Sequence, residues 1–357
     1  MNKRLQKLRR EFAENSIDGI FITQSENRRY LSGFDGTAGY LIISAKQAVL
    51  ATDFRYTEQA VKEAPDFEIL RIANNINDWF PGLLREMGIN KLGFEAGNLS
   101  FSFHLQLNDA LKKKKIRAEM VPVEGLVESV RAIKEPEEIE LIKKAAAITD
   151  AAFERLLKTI KPGLTEKRLA WGLEKSMREN GSQALPFEII VASGPRAALP
   201  HAKPSERVLE DGDPVVIDMG AKYGGYACDL TRTICAGKAS GTFKNVYNTV
   251  LKAQRTAIAI IGGGISGKEA DRAAREIIEK AGYGEAFGHS LGHGVGLAEH
   301  ELPRLGAKSK DTLKDGMVFT VEPGVYISGW GGVRIEDTVV MEKGKAKPIT
   351  KAIKAEY

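Results

Sequence analysis

Two stretches constrain the fold more than any others. "PVVIDMGAKYGGYACDLTRTI" (Pro214 to Ile234) and "FTVEPGVYISGWGGVRIEDTVV" (Phe319 to Val340) each place apolar, β-rich segments on both sides of a glycine-bearing centre, the pattern of a β-hairpin. Each carries two acids inside those apolar strands. With a turn at Tyr223-Gly224, Asp218 faces Asp229; Glu322 and Glu336 are symmetric about Gly329 and face each other. Directly opposed residues hold their Cβ atoms about 4.5–5.5 Å apart. Two like charges that close are unfavourable unless something neutralises them, and a divalent cation is the natural partner. The competing reading puts the acids on solvent faces. Apolar neighbours on both parities of "VVIDMG" and "FTVEPG" weaken it.

Four carboxylates with one imidazole make an oxygen-rich site able to hold two divalent ions. Such a set suits manganese or cobalt better than a thiolate-type zinc site. No HExxH or cysteine-based zinc pattern is present. Cys228 abuts Asp229, and strand alternation turns it away from the metal face. The imidazole is sought in "GHSLGHGVGLAEHE", Gly288 to Glu301, which holds three of the chain's five histidines: His289, His293 and His300.

The surrounding chain reads as two domains. Residues 1–130 alternate helix and strand signals ("LQKLRREFAEN", "DGIFIT", "GYLIISAKQAVLAT", "FEILRI", "KLGFE", "IRAEMVPV"), an α/β domain, with a helix interrupted or kinked at Pro81. Residues 131–357 open with an acidic-headed helix after Glu135 and continue as an α+β domain. A net charge of +5 spread over 99 charged groups excludes a nucleic-acid binder. "LKKKK" suits a solvated helix end. Two cysteines without metal or disulfide spacing, and no 18-residue apolar run, predict a cytoplasmic protein without a membrane partner. "GGGISGKE" lacks the Ser or Thr that a phosphate-binding loop needs after its lysine; it predicts a helix end followed by a new helix start.

Together, "DMGAKYGGYACD", "HSLGHGVGLAEHE", "TVEPG" and "GGVRIED" resemble the pita-bread metallopeptidases, the family of aminopeptidase P, prolidase and methionine aminopeptidase. The order Asp, Asp, His, Glu, Glu is complete. The spacings of 11 between the aspartates, 29 from His293 to Glu322 and 14 from Glu322 to Glu336 resemble those of the proline-specific branch. The first third resembles a creatinase-like α/β domain, and "LSGFDGTAGYLIISAKQAVLATDFRYTEQA" looks most like the aminopeptidase P version.

The resemblance implies a creatinase-like α/β domain followed by a pita-bread α+β catalytic domain. It implies Asp218, Asp229, His293, Glu322 and Glu336 as ligands of two divalent ions, manganese first, with cobalt or zinc as the others. Glu322 would also shuttle a proton to the leaving nitrogen. His300 would stabilise the tetrahedral intermediate, His201 and His289 would line the substrate side, and Arg334 would orient Glu336 from behind. His104 stays structural. An Xaa–Pro bond has no N–H and a fixed φ, so its site needs an apolar wall; Phe187 and Tyr226 are candidates for that wall or for the core. The expected activity is removal of the N-terminal residue from peptides with proline second, the alternative is an Xaa-Pro dipeptidase, and the remote alternative is a non-catalytic binding module. A homodimer acting on proline-containing peptides is implied as well.

Overall fold

A computed structural model describes residues 2–73 and 75–357. They form two compact units, Met1–Arg131 and Ala132–Tyr357.

The first unit is a six-stranded sheet with helices. Its strands are β1 (Gly19–Ile22), β2 (Tyr40–Ser44), β3 (Ala48–Thr52), β4 (Glu68–Arg71), β5 (Lys91–Glu95) and β6 (Glu119–Val123), in the order β4-β3-β2-β1-β5-β6. Only β2 runs antiparallel to its neighbours. Phe21, Ile42, Val49 and Leu92 pack with Phe80, Leu84, Leu107 and Leu111 from two helices. In chain order the helices of this unit are α1 (Lys3–Glu14), α2 (Ser25–Ser32), α3 (Thr57–Glu63), α4 (Ile76–Glu86), α5 (Phe101–Lys113) and α6 (Leu126–Ala132). Helix α4 runs through Pro81 as one element. The interruption expected there does not occur, because the helix that Asn75 caps buries Phe80 and Leu84 on either side of the proline.

The second unit is built from two similar halves. Helices α7 (Pro136–Leu157) and α8 (Glu166–Glu179) cover strands β7 (Ile190–Ser193), β8 (Pro214–Met219) and β11 (Leu230–Cys235). Between β8 and β11 lie the short strands β9 (Lys222–Tyr223) and β10 (Tyr226–Ala227). Helices α9 (Gly241–Ile260) and α10 (Gly267–Lys280) cover the second sheet, ordered β13-β12-β14-β17-β18. Its strands are β12 (Gly292–Gly294), β13 (Glu301–Leu305), β14 (Val318–Val321), β17 (Asp337–Glu342) and β18 (Lys345–Pro348). The pair β15 (Gly324–Ile327) and β16 (Gly331–Arg334) extends β14 and β17. Each half buries one face of its sheet under amphipathic helices. In "SGKE" the Ser266 and Glu269 side chains cap each other's backbone at the start of α10, which is the role of that glutamate. No described helix is long and apolar enough to cross a membrane.

Candidate metal centre and substrate cleft

The second hairpin keeps the register expected from its sequence. Val321 pairs with Asp337 in β14–β17, and Gly324 with Arg334 in β15–β16, so Glu322 and Glu336 occupy facing positions between the two ladders. Gly329 sits at the turn with φ +80°, a conformation glycine adopts at no steric cost.

The first hairpin is shifted. Its turn is Gly224-Gly225, with φ +57° and +86°, and Tyr223 pairs with Tyr226. Two successive residues at positive φ make the tight turn that matches strand twist. Asp218 consequently faces Thr231, not Asp229. Asp229 lies one diagonal step away on the same strand face, still within reach. Gly220 lets the strands approach here: a Cβ on it would meet the Cys228 carbonyl oxygen at 2.2 Å and the Phe187 ring at 3.1 Å.

The two hairpins and β12 bring the candidate ligands together. One ligand atom each from Asp229, His293 and Glu336 lie within 4.8 Å of one another. His293 Nε2 is 3.7 Å from Asp229 Oδ2 and 3.3 Å from Glu322 Oε1. Asp218 joins through Arg334, whose Nη2 donates to its Oδ2 at 2.7 Å. Asp218 Oδ1, Asp229 Oδ1 and Glu336 Oε1 are buried without a hydrogen-bond partner. Orphaned buried oxygens are costly, and three of them around one imidazole fit divalent cations. Burial raises the Asp229 and Glu336 carboxyls well above the usual range, and the charges of their acidic neighbours raise them further. Burial also pushes Glu322 up to about 7, with Arg334 pulling down and Asp218 pushing up. Burial and the neighbouring His300 lower His293 to about 3, which keeps its imidazole neutral and available as a ligand.

Threonines, which the sequence reading overlooked, hold these acids. Thr231 Oγ1 donates to Glu336 Oε2 at 2.7 Å, and Thr320 Oγ1 donates to Glu322 Oε1 at 3.0 Å. Thr338 Oγ1 donates to the Asp229 carbonyl at 2.7 Å. Each stands two residues from an acid, on the same strand face. Behind Glu336, the buried Arg232 donates to its carbonyl and to Asp337 Oδ1.

Arg334 does not contact Glu336 as expected. Its Nε donates to Thr231 Oγ1 at 3.1 Å, so it reaches Glu336 only through that hydroxyl. Its direct carboxylate partner is Asp218, because β16 packs across β8. Its Nη1 donates to the Tyr326 hydroxyl at 2.9 Å, and that hydroxyl lies 2.9 Å from His289 Nε2. His289 Nδ1 faces the Ser290 carbonyl and must carry the proton, so Nε2 accepts from Tyr326. Burial lowers His289 to about 4. His300 packs its exposed ring edge-to-face on His293, with centroids 4.0 Å apart. His201 is exposed in the turn after β7, within electrostatic reach of His289. The half-buried Phe187 stands against Gly220, two residues after Asp218. Tyr226 is different. It is 6% exposed, and its hydroxyl donates to Glu138 Oε1 at 2.6 Å at the start of α7, which makes it packing against that helix and not cleft wall. His104 is remote in sequence and role, its ring 5.0 Å from that of Phe94.

The profile of metallopeptidase family M24 matches residues 140–343, the span that carries all five candidate ligands, and that of the creatinase/prolidase N-terminal domain matches residues 4–133. The chain belongs to metallopeptidase family M24. It is 40% identical over 352 residues to the Xaa-Pro dipeptidase of Pyrococcus horikoshii, covering 98% of this chain and 97% of that one. Among solved structures, the Xaa-Pro dipeptidase from Bacillus anthracis superposes with a TM-score of 0.95 at 47% identity, covering 99% of this chain and 98% of that one. The X-Pro aminopeptidase from Thermotoga maritima superposes with a TM-score of 0.89 at 37% identity, with 99% of both chains covered. The two-domain creatinase-like and pita-bread architecture is therefore the family's own.

Proposed function

We propose that the protein is an Xaa-Pro dipeptidase acting through two divalent ions, manganese first. The observation that carries the hydrolytic reading is the set of orphaned buried oxygens on Asp218, Asp229 and Glu336 around His293. What supports the dipeptide over longer substrates is the higher identity to the Xaa-Pro dipeptidases, 47% and 40%, against 37% for the X-Pro aminopeptidase. The aminopeptidase P activity expected from the "LSGFDGTAGY" segment becomes the second reading, kept by that third likeness over the whole chain.

In this reading Asp218, Asp229, His293, Glu322 and Glu336 would hold the ions. When bound, the ions lower the pKa of water and polarise the scissile carbonyl. Glu322 would also carry the proton that ends on the proline nitrogen. His289 and His201 face the substrate, and His300 supplies a donor to the developing oxyanion. Phe187 offers an apolar edge to the proline ring. Two unpaired cysteines support a reducing, cytoplasmic setting.

The test is a peptide pair, Ala-Pro and Ala-Pro-Ala, assayed after chelation and after restoring manganese, cobalt or zinc. The dipeptidase reading expects Ala-Pro to be favoured by at least about 10-fold in kcat/KM. Preference for the tripeptide returns the aminopeptidase reading.

A further inference from the structure

His300 has few side-chain contacts. Its side chain is 66% exposed, its ring stands edge-to-face with that of His293, and its Nε2 lies 3.7 Å from Glu299 Oε1. Its orientation is therefore set by its backbone, and that backbone is held from behind by a buried ion pair. Lys134 Nζ lies 2.7 Å from Glu301 Oε1, with the side chains 1% and 4% exposed.

The pair is built into the turn that carries His300. Gly296 N–H donates to the Ala298 carbonyl at 3.1 Å, and Ala298 N–H donates to Glu301 Oε2 at 3.3 Å. The carboxylate fills the hollow of this turn: a Cβ on Gly296 would stand 2.3 Å from Glu301 Oε1. Glu301 pairs with Gly294 across β12–β13, next to His293. Lys134 is fixed in turn, since its N–H donates to the Gly316 carbonyl at 2.8 Å and Ile133 bridges to Met317 at the start of β14. Glu301 opens β13 and follows His300 directly, so fixing its carboxylate in the turn also fixes the backbone from which the His300 ring projects.

A buried ion pair contributes little net stability against its desolvation cost, and its best-attested use is to fix one arrangement. We propose that the Lys134–Glu301 pair is a positioning device that seats His300 over the metal centre. This rests on the reading of His300 as a substrate-facing group.

The full-length chain tests it in three forms: Glu301→Gln, Lys134→Met, and both together. Glu301→Gln keeps a polar group of the same size in the turn, and the double form leaves no buried charge unpaired, so these carry the test where Lys134→Met does not fold. The expected result is a fall in kcat on Ala-Pro of up to about 100-fold, the size reached when a catalytic group moves by ~1 Å. KM and bound metal stay within about twofold, and the His300 ring NMR signal of the zinc-loaded protein shifts as the ring leaves the ring of His293. Lower Tm with kcat and the His300 signal unchanged overturns the proposal. So does a loss of bound metal in step with activity, which would place the pair behind the metal strands instead. His300→Ala separates the two levels: unchanged kcat there defeats the role given to His300, while the His300 signal in Glu301→Gln still reports on the clamp itself.

Discussion

The Arg334 guanidinium joins Asp218 and Tyr326: one nitrogen donates to Asp218 Oδ2 at 2.7 Å, another to the Tyr326 hydroxyl at 2.9 Å. A candidate metal carboxylate and His289, proposed to face the substrate, are thereby tied to one planar group. Lysine keeps the charge but not the fork. Arg334→Lys is expected to weaken divalent-metal binding by about 10- to 100-fold, the usual cost of losing such a partner. Calorimetric titration of the chelated protein with manganese measures it, and wild-type affinity contradicts this assignment.

Tyr226 tests the distinction between wall and packing. Tyr226→Phe removes the bond to Glu138 and leaves the ring. Stability is expected to fall by about 1.5–3 kcal/mol, the range for a hydrogen bond to a charged group, with kcat/KM essentially unchanged. Denaturant unfolding and Ala-Pro kinetics report the two. A tenfold kinetic loss without destabilisation would return Tyr226 to the cleft.

Glu166 predicts a pH dependence. Its carboxylate accepts from Ser193, Ser205 and Arg196, and so braces the segment that carries His201. Burial works against its charge, but the bonds from Ser205 and Ser193 outweigh burial and hold its pKa below the usual value. A lowered folded-state pKa means stability that is present above the unfolded value, about 4.3, and is lost as pH falls through the folded value. Glu166→Gln should lower stability near neutral pH and flatten that acid limb. Unfolding curves between pH 3 and 7 decide it; an unchanged acid limb contradicts the role.

His104→Ala should leave kinetics near wild type and remove the ring contact with Phe94 and the Nε2 hydrogen bond with Asn108, a stability loss on the order of 1 kcal/mol. A large fall in kcat would give the first unit a part in catalysis that its fold does not suggest.

These residues also show what the sequence could and could not convey. The facing of Glu322 and Glu336 was legible because apolar strands flank Gly329 symmetrically. The first hairpin was misplaced because "YGGY" allows two turn centres. Positive φ at two successive positions selects the glycine pair, and Asp218 moves opposite Thr231. The partner of Arg334 was not legible, since β16 crossing β8 is a tertiary fact. Alternation places Arg334 on the face of Glu336 but cannot say which carboxylate comes nearer. Tyr226 was open for the same reason, since its fate depends on where α7 begins relative to β10. The threonines did leave a signal, a hydroxyl two residues from an acid on one strand face, at Thr231, Thr320 and Thr338.

Asp218, Asp229, His293, Glu322 and Glu336 are proposed together to hold the ions that make hydrolysis possible. The most direct measurement is bound metal per chain, by elemental analysis, alongside Ala-Pro turnover for the wild type and Asp229→Asn. Two divalent ions are expected in the wild type, with activity abolished by chelation and restored with metal, and with loss of both metal and turnover in Asp229→Asn. Full turnover by a chain shown to carry no metal would contradict it.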